Sequence, residues 1–186
     1  MAGHGHVEAH GDKRIALLIA VLALCLAIVE TGAKSAQTEA LTRNVEAANL
    51  WAFFQARTIR QTGVRTAAEQ AELQKLGADD AARAAIEAQQ KTWRETAARW
   101  ESEPSSGEGR KELSARAMVA EKVRDTSLAK YHLYEYAAAA LQVAIVVASA
   151  SIITSVPALA LLGIALGVVA MGLGGLGWLA PGLVHF

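Results

Sequence analysis

The sequence predicts an all-α membrane protein: three transmembrane helices carrying an extended, coiled-coil-like helical hairpin outside the bilayer. Three observations lead there. Two stretches, Ile15–Val29 and Ala137–Ala180, contain no Lys, Arg, Asp, Glu or His. Between them lies a polar stretch rich in Ala, Glu, Gln, Arg and Lys, with no strand-like alternation. Few strong breakers interrupt it: Gly77-Ala78-Asp79-Asp80 and Ser102–Gly109.

The first apolar run covers roughly 22 Å as a helix, short of a hydrocarbon core of about 30 Å. Thr31–Ala33 extend it, and Lys13 and Arg14 snorkel at the other end, so the span is placed at 13–33 after a His-rich tail at 1–12. A cleaved signal peptide is the rival reading, with Thr31-Gly32-Ala33 as the small-residue site. Glu8 and Asp12 in a long preceding stretch weigh against it.

Pro157 divides the second apolar run into spans at 137–156 and 157–180, with a short tail at 181–186. Proline is tolerated in a first helical turn, so Pro157 opens the last span, with Ser155 as a candidate cap. The turn is short enough to force antiparallel neighbours. Trp178 at one end and Tyr131, Tyr134 and Tyr136 at the other suit interfacial positions. Each span carries a ridge of small residues: Ala16, Ala20, Ala23 and Ala27; Ala144, Ala148, Ser151 and Ser155; Gly163, Gly167, Ala170 and Gly174. Such ridges let helix backbones approach closely.

The domain at 34–136 divides into helical pieces near 35–76, 81–101 and 110–136. The first is roughly 63 Å long and the other two together nearly match it. A hairpin with its tip at Gly77 follows, its second arm interrupted by the Ser102–Gly109 loop; a compact three-helix bundle folding back at Gly63 is the alternative. In the hairpin, residues pair where their numbers sum to about 156, which sets Gly63 against Trp93. Beyond the interruption the register brings Val45 near Val119 and Leu41 near Val123. Leu41, Val45, Ala48, Ala52 and Ile59 form the expected inner stripe of one arm, and Leu113, Ala117, Ala120 and Tyr131 that of the other, broken by Arg124 and Ser127. Trp51, Phe53 and Phe54 point around most of the helix, more than one partner helix covers, so they are read as assembly contacts together with Gly163 and Gly167.

Chemistry is hard to find. The 18 Lys+Arg and 18 Asp+Glu interleave, leaving no basic stripe for nucleic acid. The single Cys25 forms no internal disulfide. His4, His6 and His10 have a spacing that can bind Zn²⁺, Cu²⁺ or Ni²⁺, although a plain polar tail is the preferred reading, and no metal or cofactor is expected. Glu30 is the only acid touching a span and Gln142 the one strongly polar side chain in the closing pair, too little for an ion relay. No catalytic set is present.

The stretch Asn49-Leu50-Trp51-Ala52-Phe53-Phe54-Gln55-Ala56-Arg57-Thr58-Ile59-Arg60 resembles a signature of the DUF4337 family of bacterial membrane proteins. The overall plan is similar too: a His-rich start, one span, a helical domain, then His132 and Tyr134 ahead of two closing spans. The resemblance implies architecture, not activity. The expected function is therefore a non-enzymatic scaffolding protein of the bacterial inner membrane, contacting lipid and forming a homo-oligomer. An accessory subunit of a larger membrane complex, or a channel or metal-handling transporter, are the alternatives. Lys13 and Arg14 predict a cytoplasmic N-terminus and Pro157 turn, with the helical domain and C-terminus periplasmic.

Overall fold

A computed structural model describes residues 5–183, with side chains from Lys13 onward. Every regular element among the described residues is helical: α1 (Gly5–Gln74), α2 (Asp80–Glu101), α3 (Arg110–Thr154) and α4 (Pro157–Leu179), with short 3-10 turns at Lys75–Gly77 and Pro181–Leu183. The chain divides into two compact units. One is formed by the chain up to Leu41 and from Arg124 onward; the other is Thr42–Val123.

The first unit is a bundle of the three apolar helical segments, and α1, α3 and α4 are each long and apolar enough to cross a membrane. Leu22, Val29, Ala137, Ala138, Leu141, Ala144 and Ala170 form its core. Two of the three small-residue ridges face inward. On α3 Ala144, Ala148 and Ser151 are buried, and on α4 Gly163, Gly167 and Ala170. The ridge on α1 does not: Ala16, Ala20, Ala23 and Ala27 are exposed, while Leu18, Leu22, Cys25, Leu26 and Val29 turn inward. The bulky α1 side chains fill the furrows that the small residues of α3 and α4 leave open.

Between α3 and α4, Ser155 has φ +56°, and α4 starts with Pro157 in its first turn after Val156. Ser155 is thus the left-handed residue that stops α3, not the cap of α4. Ser151 Oγ instead donates to the Val156 carbonyl at 2.9 Å.

In the second unit α1 and α2 run antiparallel. Gln61 Nε2 donates to the Ala97 carbonyl at 2.9 Å and Gln90 Nε2 to the Ala68 carbonyl at 2.7 Å. Both pairs sum to 158, two residues from the expected register. Asp79 caps α2 by accepting from the Ala82 amide at 2.8 Å, which ends the tip as the sequence suggests.

Two expectations for this unit need correction. Gly63 does not face Trp93: a Cβ built there meets nothing within 4 Å. Val64 and Ala68 line the groove beside Trp93 instead. The α1 stripe is also on the wrong face, with Val45 59% exposed and Ile59 73% exposed. The buried α1 positions are Ala47, Leu50, Gln61 and Ala71, with Phe54, Val64 and Ala68 half-buried. They follow an alternating spacing of three and four. The misplacement follows from reading Trp51 and Phe54 as outward contacts: both pack on Leu50, Leu113 and Ala117 and so mark the inward face. The α3 stripe is right at Leu113, Ala117 and Ala120, and Ser127 lies buried with the last residues of that face rather than breaking it. Leu50 packs with Leu113 and Ala117, while Val119 is exposed, so the Val45–Val119 pairing is also set aside.

Candidate functional site

The densest constellation of polar side chains lies where α1, the end of α2 and the start of α3 meet in the second unit. Arg110, the first residue of α3, sits at its centre. Its Nε donates to Thr58 Oγ1 at 2.9 Å, and its Nη1 donates to Gln61 Oε1 and to Glu101 Oε2, both at 2.8 Å. Gln61 Nε2 donates in turn to Glu101 Oε2 at 3.1 Å as well as to Ala97. The guanidinium carbon lies 5.0 Å from the centre of the Phe54 ring, a cation–π distance.

The adjoining loop is held from both sides. Glu112 accepts from Ser102 Oγ at 2.6 Å and from the Glu103 amide at 3.2 Å. Arg57 pairs with Glu108 at 2.6 Å. The loop closes on itself through the Gly107 amide, which donates to the Glu103 carbonyl, and Gly107 takes φ +67°. Gly109 leaves no room for a side chain: a Cβ would come within 2.5 Å of the Glu103 nitrogen and 2.7 Å of Ser102 Cα.

Electrostatics follow from this geometry. The hydrogen bond from Gln61 holds the Glu101 carboxyl below its ordinary value; loss of solvent opposes that, and Arg110 reinforces it. The Ser102 hydroxyl lowers Glu112 in the same way, and Gln90 followed by Lys75 lowers Glu72. All three carboxylates are stabilised in their charged form. None is poised to exchange a proton near neutrality, and no buried polar side-chain atom among the described residues lacks a partner. The arrangement ties the end of α2 and the start of α3 to the middle of α1.

The aromatic residues divide between inside and outside. Trp51 is half-buried, its Nε1 donating to Glu121 Oε1 at 3.0 Å and its ring meeting Phe54 edge-on at 5.4 Å. Phe54 lies under Arg110. Phe53 alone of the three is turned out, 64% exposed. The width of the cluster thus reflects two contacts within the chain and one outward ring. Gly163 and Gly167 also serve the chain itself. A Cβ at Gly163 would lie 3.1 Å from the Ala144 carbonyl and 3.3 Å from Ala148 Cβ, and one at Gly167 would lie 2.7 Å from Leu22 Cδ2.

In the first unit Glu30 and Gln142, remote in sequence, come within 3.4 Å. They border an open groove of about 710 Å³ with Lys34, Gln37, Tyr131 and Glu135. His4 lies outside the described residues, as do the side chains of His6 and His10. Among the described residues no three His, Cys, Asp or Glu side chains gather in a set that could hold a metal. Sequence reasoning missed the Arg110 centre. A signal was present in Gln61 and Gln90, polar residues at helix-seam spacing amid alanines, but nothing in the sequence joins them to partners many residues away.

Fold and site together define an all-helical protein with three helices long and apolar enough to span a membrane and a helical unit clamped by buried and part-buried hydrogen bonds. A family model, DUF4337, a domain of unknown function, matches residues 11–180. The chain belongs to the DUF4337 family. No curated protein and no solved structure matches the chain.

Proposed function

We propose that this chain is a structural membrane protein that self-assembles through its helical unit in the bacterial inner membrane. One observation carries the reading: outside the apolar spans, the helical unit leaves bulky apolar side chains uncovered, with Val45, Phe53, Ile59 and Val119 all more than half exposed. A unit surrounded by water is favoured when such residues find a partner. The polar side chains gathered around Arg110 are bound into the helix clamp, and the Glu101 carboxylate there is held charged. The seam spacing of three and four supports a coiled-coil-like assembly module. Because Gly163 and Gly167 are filled by the chain's own helices, assembly falls to the helical unit rather than to the spans.

We place the N-terminus in the cytoplasm, on the strength of Lys13 and Arg14 beside the first span, and the helical unit in the periplasm. Light scattering on detergent-purified protein tests the assembly; a monomer at micromolar concentration overturns it. A reporter inserted between Ser105 and Gly107 tests the orientation, and activity only in the cytoplasm reverses it.

A further inference from the structure

The outward face of α1 in the helical unit is inverted relative to an ordinary exposed helix. From Val45 to Leu73 the line opposite the buried seam carries Val45, Ala52, Gln55, Ile59, Gly63, Gln70 and Leu73. All seven are exposed. No charged residue lies on that line in 29 residues, about 42 Å of helix. The charges of this segment sit on the packed side or its flanks: Arg57 against Glu108, Arg65 and Glu69 along the groove beside Trp93, and Glu72 against Lys75. A helix whose far side meets only water normally carries its charges there.

We infer that this face is a parallel, symmetric contact with α1 of a second copy. The inference rests on the self-assembly reading above and names its surface. Two copies inserted the same way in one membrane present α1 in the same direction. Symmetry then sets each residue opposite itself. A charge on the line would meet a like charge, so a self-contact requires its absence, whereas a contact with a different protein would profit from charges of its own. The polar residues that do occur satisfy the same condition. Gln55 and Gln70 each carry a donor and an acceptor, so either can pair with its own copy, and neither side chain makes a hydrogen bond to another described residue. The positions recur at steps of three, four and seven residues, which keeps them on one line of the helix. Ala52 and Gly63 keep the approach close. A Cβ at Gly63 would meet nothing within 4 Å in the single chain, so that surface is open to receive a partner.

Cysteine cross-linking of the full-length protein in its membrane tests this, in a Cys25→Ala background because Cys25 is the only native thiol. Gln55→Cys and Ile59→Cys should each form a disulfide-linked dimer at least about ten times more efficiently than Gln89→Cys, which is exposed on α2, because a disulfide needs Cβ atoms about 4 Å apart. Ala52→Glu should weaken the dimer at least about tenfold by setting like charges together, while leaving the circular dichroism spectrum unchanged. An oligomer by light scattering that cross-links at neither Gln55→Cys nor Ile59→Cys overturns this face while self-assembly stands. A monomeric protein overturns both. A cross-linked adduct whose mass is not twice that of the chain assigns the face to a different protein and overturns the self-contact.

Discussion

Replacing Gln61 by Leu tests whether the helical unit is held by its polar clamp or by apolar contact alone. Gln61 is 2% exposed and makes three side-chain hydrogen bonds, to the Ala97 carbonyl, to Glu101 and from Arg110. A neutral hydrogen bond contributes about 1 kcal/mol net and one to a charged group about 1.5–3 kcal/mol. Arg110 and Glu101 keep each other at 2.8 Å, and leucine recovers some burial, so the net loss is about 2–3 kcal/mol. For a unit of this size each kcal/mol shifts the midpoint by about 4–8 °C, giving a fall of roughly 10–20 °C. Thermal melts of the full protein in detergent would show it, followed by tryptophan fluorescence, since Trp51, Trp93 and Trp100 all lie in this unit. Gln89→Leu, at an exposed α2 position, should change stability by no more than about 0.5 kcal/mol. A Gln61→Leu midpoint as close to wild type as that of Gln89→Leu would refute the clamp.

Three further outcomes follow from the same geometry. Gly109→Ala should cost about 1–3 kcal/mol, because the new methyl meets the Ser102–Glu103 backbone, whereas Gly77→Ala, with nothing within 4 Å, should change stability by no more than about 0.5 kcal/mol; thermal melts distinguish the two. Acid should weaken the helical unit: Glu72, Glu101 and Glu112 are held below their ordinary value of 4.5, so their contribution is present above that value and lost as the pH falls through their folded-state values. Glu112→Gln should reduce that dependence in a pH series of melts. In the membrane unit, Gly163→Ile should lower thermal stability in detergent by forcing α4 off the Ala144 carbonyl, while Gly172→Ile, with nothing within 4 Å, should not.

Signals that act locally were legible in the sequence. Pro157 starts α4, Asp79 caps α2, and the Ser102–Gly109 stretch separates α2 from α3. Each works through its own backbone conformation, so neighbours suffice to read it. Which face of α1 turns inward was not legible. The largest apolar residues drew the stripe through Val45 and Ile59, while the actual seam uses Ala47, Leu50 and Gln61. Trp51 and Phe54 mark the inward face, but with Phe53 beside them they point around so much of the helix that the sequence does not say which side packs. The Arg110 centre was out of reach for another reason. It joins positions 9, 49 and 52 residues apart, and one sequence carries no record of such pairings.

The seam explains why glutamines lie inside a helix pair. The α1 side of this contact is largely alanine, so its apolar side chains alone specify the register weakly. Gln61 and Gln90 remove that degeneracy. Each projects from a different helix and donates to a backbone carbonyl on the other, at Ala97 and Ala68. Each donates also to a carboxylate one turn away on the acceptor's helix, at Glu101 and Glu72. A slip would carry both amides away from their carboxylates at once and leave them buried without partners, which costs about 1–3 kcal/mol per group. Small side chains set the distance between the helices and the two glutamines fix the register. Val45 and Ile59 are left on the outer face of α1, where the single chain has no use for them.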